Sequence, residues 1–196
     1  MKIDDFIELA EKAINNDSGS QCKLGNSFYF GDVVNLDYNQ AVYWYTKAAE
    51  QGDSTAQLNL GNSYFTGKGV DQDYEQAVYW YTKAAEQGHS GAQTNLGVCY
   101  FHGLGVEQDY DQAVSWYTKA AEQGFSYAQY SLGECYYDGL GVEQDYDQAV
   151  YWYTKAAEQG DSDAQKALSK CYMEGRGVKK DVDKANYWKK ESEKIL

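Results

Sequence analysis

The sequence predicts an all-α chain built as a solenoid of 36-residue helix-turn-helix repeats, and three observations carry that reading. The segment DYEQAVYWYTKAAEQG at 73–88 returns almost unchanged at 37–52, 109–124 and 145–160, and in eroded form as DVDKANYWKKESEKIL at 181–196. Self-similarity at a fixed period of this length marks a repeat architecture, in which each repeat buries its apolar face against its neighbours. Proline is absent, and glycines recur at fixed places, as in helices separated by glycine-closed turns.

A 16-residue leader and five 36-residue repeats account for all 196 residues, read as one array. The leader, 1–16, carries Phe6, Ile7, Leu9, Ala13 and Ile14 and is expected to be one capping helix over the open side of the first repeat. Repeats follow at 17–52, 53–88, 89–124 and 125–160, and 161–196 is a degenerate repeat and cap. In the second repeat the pattern predicts helices over 53–66 and 73–87. Ser54 with Gln57 reads as a capping box, and Asp73 with Gln76 as an analogous cap on the second helix. Gly67 and Gly88 supply the left-handed residues that end the two helices, and Gly67-Lys68-Gly69-Val70 is the turn between them. The first repeat has Val33 where the others have the second glycine of that turn.

Ala56, Leu60, Gly61 and Tyr64 make the buried stripe of the first helix, and Tyr74, Ala77, Tyr81, Ala84 and Ala85 that of the second, with Trp80 alongside. A mid-helix glycine costs about 1 kcal/mol against alanine, so Gly61 implies a backbone or an aromatic ring packed against it. In the last repeat Ser192 and Glu193 replace the Ala-Ala pair, giving the array a polar end.

Lys plus Arg number 17 and Asp plus Glu 30, a net charge of −13, which disfavours nucleic acid and anionic membrane surfaces as partners. The charge is uneven: residues 166–196 sum to +4 and residues 1–165 to −17. No signal peptide or membrane-spanning run is read from the sequence, so the expected compartment is the reducing cytoplasm. Cys99, Cys135 and Cys171 share one repeat position and Cys22 occupies another, and all four are expected to be reduced, packed thiols.

The pattern A-x3-L-G-x2-Y-x2-G-x-G-V-x2-D-x3-A-x2-W-Y-x-K-A-A-x2-G, met in the second repeat from Ala56 to Gly88, resembles the Sel-1-like repeat family, a 36-residue relative of tetratricopeptide repeats. The resemblance covers essentially the whole chain. It implies a right-handed α/α superhelix that scaffolds protein complexes, with the first helix of each repeat lining the concave side. Some cysteine-rich members are linked to penicillin binding and β-lactamase activity, which makes a β-lactamase-like or penicillin-binding enzyme one alternative function, a structural self-associating array being the other. Their cysteine pairs would fall at Ala49 and Gln57 here, and no S-x-x-K motif accompanies them.

Copies of the repeat differ most at their third, sixth, seventh, tenth and fourteenth residues, a spacing that puts the differences on one face of the first helix. A uniform scaffold with one diversified stripe is the expected form of a binding surface. The candidate residues are Asn26 in the first repeat, Leu58, Asn59 and Asn62 in the second, and Thr94, Asn95, Val98 and His102 in the third. The fourth repeat adds Tyr127, Tyr130, Ser131, Glu134 and Asp138. Asparagines suit an extended peptide backbone, and Tyr127 and Tyr130 are the aromatic anchors. Tyr43, Tyr79, Tyr151 and Tyr187 form a second exposed series on the other helix, read as covering the adjacent tryptophans or as a self-association surface. No histidine or cysteine pair has metal-ligand spacing, so no catalytic residue, metal or cofactor is expected, and the expected partner is a protein or peptide.

Overall fold

A computed structural model describes residues 3–194, and those residues form eleven α-helices. They are α1 (Ile3–Ile14), α2 (Ser18–Phe30), α3 (Tyr38–Glu50), α4 (Ser54–Thr66), α5 (Tyr74–Glu86), α6 (Ser90–His102), α7 (Tyr110–Glu122), α8 (Ser126–Asp138), α9 (Tyr146–Glu158), α10 (Ser162–Glu174) and α11 (Val182–Ser192). The chain is thus all-α and repeats a helix pair. It divides into two compact units: an N-terminal one of 1–92 with 104–107, and a C-terminal one of 93–103 with 108–196.

Within the N-terminal unit, α2 packs on α3, α4 on α5, and α3 on α4. The core is a layer of small residues around one tyrosine: Ala41, Val42, Tyr45, Ala48, Ala49, Ala56 and Leu60 are buried together with Cys22. The C-terminal unit repeats the arrangement around Tyr117 and Tyr153. The ring needs the glycine opposite. A Cβ built on Gly61 would stand 2.6 Å from the Tyr81 ring, and Gly25, Gly97 and Gly133 face Tyr45, Tyr117 and Tyr153 at the same 2.6 Å. The fifth repeat has Lys189 at the tyrosine position and Ser169 at the glycine position, and Ser169 Oγ donates to the Ala185 carbonyl at 2.7 Å. Glycine and tyrosine are therefore replaced as a pair.

The turn glycine has a similar cause. Gly69 lies at φ +78°, and a Cβ there would strike the Tyr38 carbonyl at the start of α3. In the first repeat Val33 takes the place of that glycine, and the residue that would match Tyr38 there, Lys2, lies outside the described residues.

The helix starts correct one expectation. Asp53, not Ser54, caps α4, its side chain accepting from the Ala56 N–H at 2.8 Å; Asp17 and Asp161 act likewise, whereas Phe125 makes no side-chain cap bond. Gln57 is buried and does not reach back to the helix start. Its Nε2 donates to the Ala49 carbonyl at 3.1 Å, and its Oε1 accepts from Gln87 Nε2 at 2.7 Å. One side chain thus fastens three helices. Gln129 makes the same two bonds, to Ala121 and from Gln159. Gln165 Oε1 is buried without a partner among the described residues. The caps on the second helices follow expectation, Asp73 accepting from the Gln76 N–H at 3.0 Å.

Leader helix α1 packs on α2 through Ala13, which is buried, while Ile7 and Ile14 are exposed. The helix stands where the second helix of a preceding repeat would stand, and only one of its sides meets α2.

Candidate functional site

In the N-terminal unit the stripe residues Asn26, Asn59 and Asn62 line one cavity of about 480 Å3, together with Tyr29, Phe30, Tyr45 and Thr55. Asn26 stands on α2, Asn59 and Asn62 on α4, and Tyr45 on α3. The inward side of this cavity is fixed by hydrogen bonds. Tyr45 Oη donates to Asn26 Oδ1 at 2.8 Å, Asn59 Nδ2 donates to the same oxygen at 3.1 Å, and Tyr81 Oη donates to Asn62 Oδ1 at 2.8 Å. Burial holds the Tyr45 hydroxyl well above its ordinary range, so it serves as a donor. Phe30 is 64% exposed at the edge, its ring T-shaped against Tyr29 at 5.1 Å. Leu58 is half-buried.

In the C-terminal unit a smaller cavity of about 120 Å3 is lined by Glu134, Tyr137, Asp138, Tyr153, Ala167 and Lys170. Tyr153 Oη donates to Glu134, and the Tyr130 ring lies 6.0 Å from that of Tyr153. Burial, followed by the Glu134 carboxylate, pushes the Tyr130 hydroxyl up. Lys170 Nζ sits 5.0 Å above the Tyr137 ring, and Arg176 Nη1 donates to Tyr137 Oη at 2.6 Å. In the third repeat the acceptor position is Val98, and the Tyr117 hydroxyl instead meets Ser131. Tyr127, His102 and Asp138 are exposed, and Asn95 is half-buried.

Thr94 departs from expectation: it is 1% exposed and belongs to the core, because the sixth position of the repeat turns inward there, as it does at Cys22. The tenth position also has an internal duty. Asn26, Asn62 and Glu134 each accept from the tyrosine nineteen residues later, so part of the variation on the stripe serves a buried hydroxyl. The scaffold tyrosines Tyr29, Tyr45, Tyr137 and Tyr153 also line the cavities and were not among the sequence candidates. Their signal was available: a large aromatic set among alanines brings a hydroxyl that must find an acceptor.

The outward tyrosines are fastened in place. Tyr79 meets Trp80 edge-on at 5.0 Å, with Lys83 Nζ 5.0 Å from its ring, and Tyr151 with Trp152 and Lys155 repeats the set. In the third repeat the tyrosine is Ser115, and Lys119 moves onto the Trp116 ring itself at 3.8 Å. All four cysteines are free and buried. Burial pushes the Cys22, Cys99 and Cys135 thiols up to about 12 and Cys171 up to about 11, which makes them poor nucleophiles. Among the described residues no group of His, Cys, Asp or Glu could hold a metal ion, and no helix is long and apolar enough to cross a membrane.

The model of the Sel1 repeat matches five times, over residues 18–53, 54–89, 90–125, 126–161 and 162–188. The chain belongs to the Sel1 repeat family. Among solved structures, it is similar to a protective antigen of uropathogenic Escherichia coli strains displaying an SLR fold, at 42% identity and a TM-score of 0.92 over 95% of this chain and 40% of that one. A Sel1 repeat protein from Oxalobacter formigenes shares 41% identity, with a TM-score of 0.86 over 90% of this chain and 70% of that one. Cysteine-rich protein B of Helicobacter pylori is similar at 28% identity and a TM-score of 0.52, over 68% of this chain and 96% of that one. The present Sel1 chain spans about two fifths of the length of the Escherichia coli antigen. No curated protein matches it.

Proposed function

We propose that this Sel1 repeat chain is a protein- or peptide-binding scaffold that recognises its partner through the open face of the first helix of each repeat. One observation carries the reading: three stripe residues that differ in sequence position by up to 36 residues, Asn26, Asn59 and Asn62, converge with exposed Phe30 on one cavity. Sel1 repeats are in general protein-interaction scaffolds, which supports the same reading. Asn95, Val98, His102, Tyr127, Tyr130, Ser131, Glu134 and Asp138 are the corresponding contact residues in the C-terminal unit, and Leu58 borders the set in the N-terminal unit. Thr94 contributes to their support and not to contact. Aromatic anchors beside adaptable amides are the composition that hot spots use.

The test is selection from a phage-displayed library of random peptides on the intact chain, followed by calorimetry of the selected peptides. Phe30→Ser or Tyr127→Ala is expected to weaken binding about tenfold or more, and Tyr79→Ala to leave it unchanged. Failure to select any peptide, or loss of binding on Tyr79→Ala alone, contradicts the reading.

A further inference from the structure

Hydrogen bonds at the N-terminal cavity engage one atom of each of two amides. The carbonyl oxygen of Asn26 accepts from Tyr45 Oη and from Asn59 Nδ2, so both of its lone pairs are used within the protein. The oxygen and nitrogen of a carboxamide diverge from one carbon, so a bond to one leaves the other available. Asn26 therefore keeps Nδ2, a donor, and Asn59, held by its nitrogen, keeps Oδ1, an acceptor. Among the described residues the Asn59 amide N–H also reaches the Cys22 sulfur, and no further hydrogen bond is made to Asn26 Nδ2 or Asn59 Oδ1. Both residues line the cavity, and none of the described lining residues is charged. The exposed Phe30 ring closes one edge.

One donor and one acceptor on adjacent helices are the complement of a single peptide group, whose C=O accepts from Asn26 and whose N–H donates to Asn59. A charged ligand group would lose water here without gaining a counter-charge. We infer that this cavity binds the backbone of an extended, uncharged peptide segment through one peptide group, with an apolar side chain of that segment laid against Phe30. The inference rests on the peptide-binding reading above and names what one of its sites takes. It also separates the site from the general field of the chain: a net charge of −13 attracts basic partners in a salt-dependent way, whereas a neutral segment held by amides is nearly indifferent to salt.

The test uses a peptide selected on the intact chain and resynthesised with each backbone amide replaced, one at a time, by an ester, which removes a single N–H. One position next to an apolar residue is expected to lose about tenfold in affinity on the wild-type chain, and the same ester is expected to cost nothing on Asn59→Leu. Phe30→Ser, an exposed substitution with little effect on folding, weakens every version of the peptide. Affinity changes less than about twofold between roughly 50 mM and 500 mM salt. The inference is overturned if no ester position stands out, if the ester costs as much on Asn59→Leu, or if binding depends steeply on salt. A peptide that ignores Asn59 and Phe30 but is lost on Tyr127→Ala overturns this inference alone. Selection of no peptide at all overturns the broader reading with it.

Discussion

In the N-terminal unit, buried Tyr45 and Tyr81 donate hydrogen bonds to amide oxygens, those of Asn26 and Asn62, whereas in the C-terminal unit Tyr153 donates one to the carboxylate of Glu134. The scaffold tyrosine is the same, and its glycine platform is the same. What differs is the acceptor, and with it the character of the cavity: neutral and amide-lined in one unit, acidic and flanked by Lys170 in the other. The tyrosine requires an acceptor, but not a particular one. That latitude is how a uniform spine can carry different recognition surfaces.

High pH is expected to separate the two units most strongly. Each buried thiol titrates above its ordinary value of 9.0, so the unfolded chain releases its proton first. Their contribution to stability is intact below about pH 9 and is lost as pH rises towards about 12. The buried tyrosine hydroxyls, also raised by burial, act in the same direction. The C-terminal unit holds Cys99, Cys135 and Cys171, where the same position in the N-terminal unit is Ser27 and Ser63. Hydrogen exchange should therefore show the C-terminal unit opening at lower pH, and Cys99→Ser with Cys135→Ser should narrow the gap.

Next in size is the platform. Gly61→Ala and Gly133→Ala are each expected to cost about 2 kcal/mol in urea unfolding despite the gain in helix propensity, because the new methyl meets a tyrosine ring with no room to move. Ser169→Ala, where the ring is absent, should cost less than about 1 kcal/mol. Equal losses at all three sites would refute the pairing of glycine with tyrosine.

Removing the hydroxyls tests the acceptors directly. Tyr153→Phe is expected to cost about 2 kcal/mol and Tyr81→Phe about 1 kcal/mol, since the first deletes a bond to a charged group and the second a bond to a neutral one. The smallest effect concerns the turns. Lys68 Nζ reaches Tyr29 Oη at 3.3 Å, and Arg176 reaches Tyr137, each pair 39 residues apart. At the same spacing Phe65 and Phe101 precede Leu104 and Leu140. A double-mutant cycle of Tyr29→Phe and Lys68→Leu should give a coupling of about 0.5 kcal/mol.

The helix pairs were legible because their signal is local: aspartate and glycine mark the ends, and the period repeats five times. Even so, Asp53 and Ser54 stand side by side and both residue types cap helices, so adjacent residues could not be told apart by pattern. The role of Gln57 was hidden because its partners, Ala49 on α3 and Gln87 just past the end of α5, belong to other parts of the chain. The variable stripe was visible as a face. Its inward edge at Thr94, and the bond from Asn26 to a tyrosine nineteen residues on, depend on packing that spacing alone does not report. The segment that repeats most faithfully, DYEQAVYWYTKAAEQG, supplies the ring, the cap and the small-residue bed, while the less regular helix before it carries the exposed differences.

The most direct test of that division is photo-crosslinking of a selected peptide bearing a benzophenone, mapped by mass spectrometry on the intact chain. The expected crosslinks fall on first helices, at Asn26 to Phe30, Leu58 to Asn62, or Tyr127 to Asp138. Crosslinks confined to Tyr43, Tyr79, Tyr151 and Tyr187 on the second helices would contradict it.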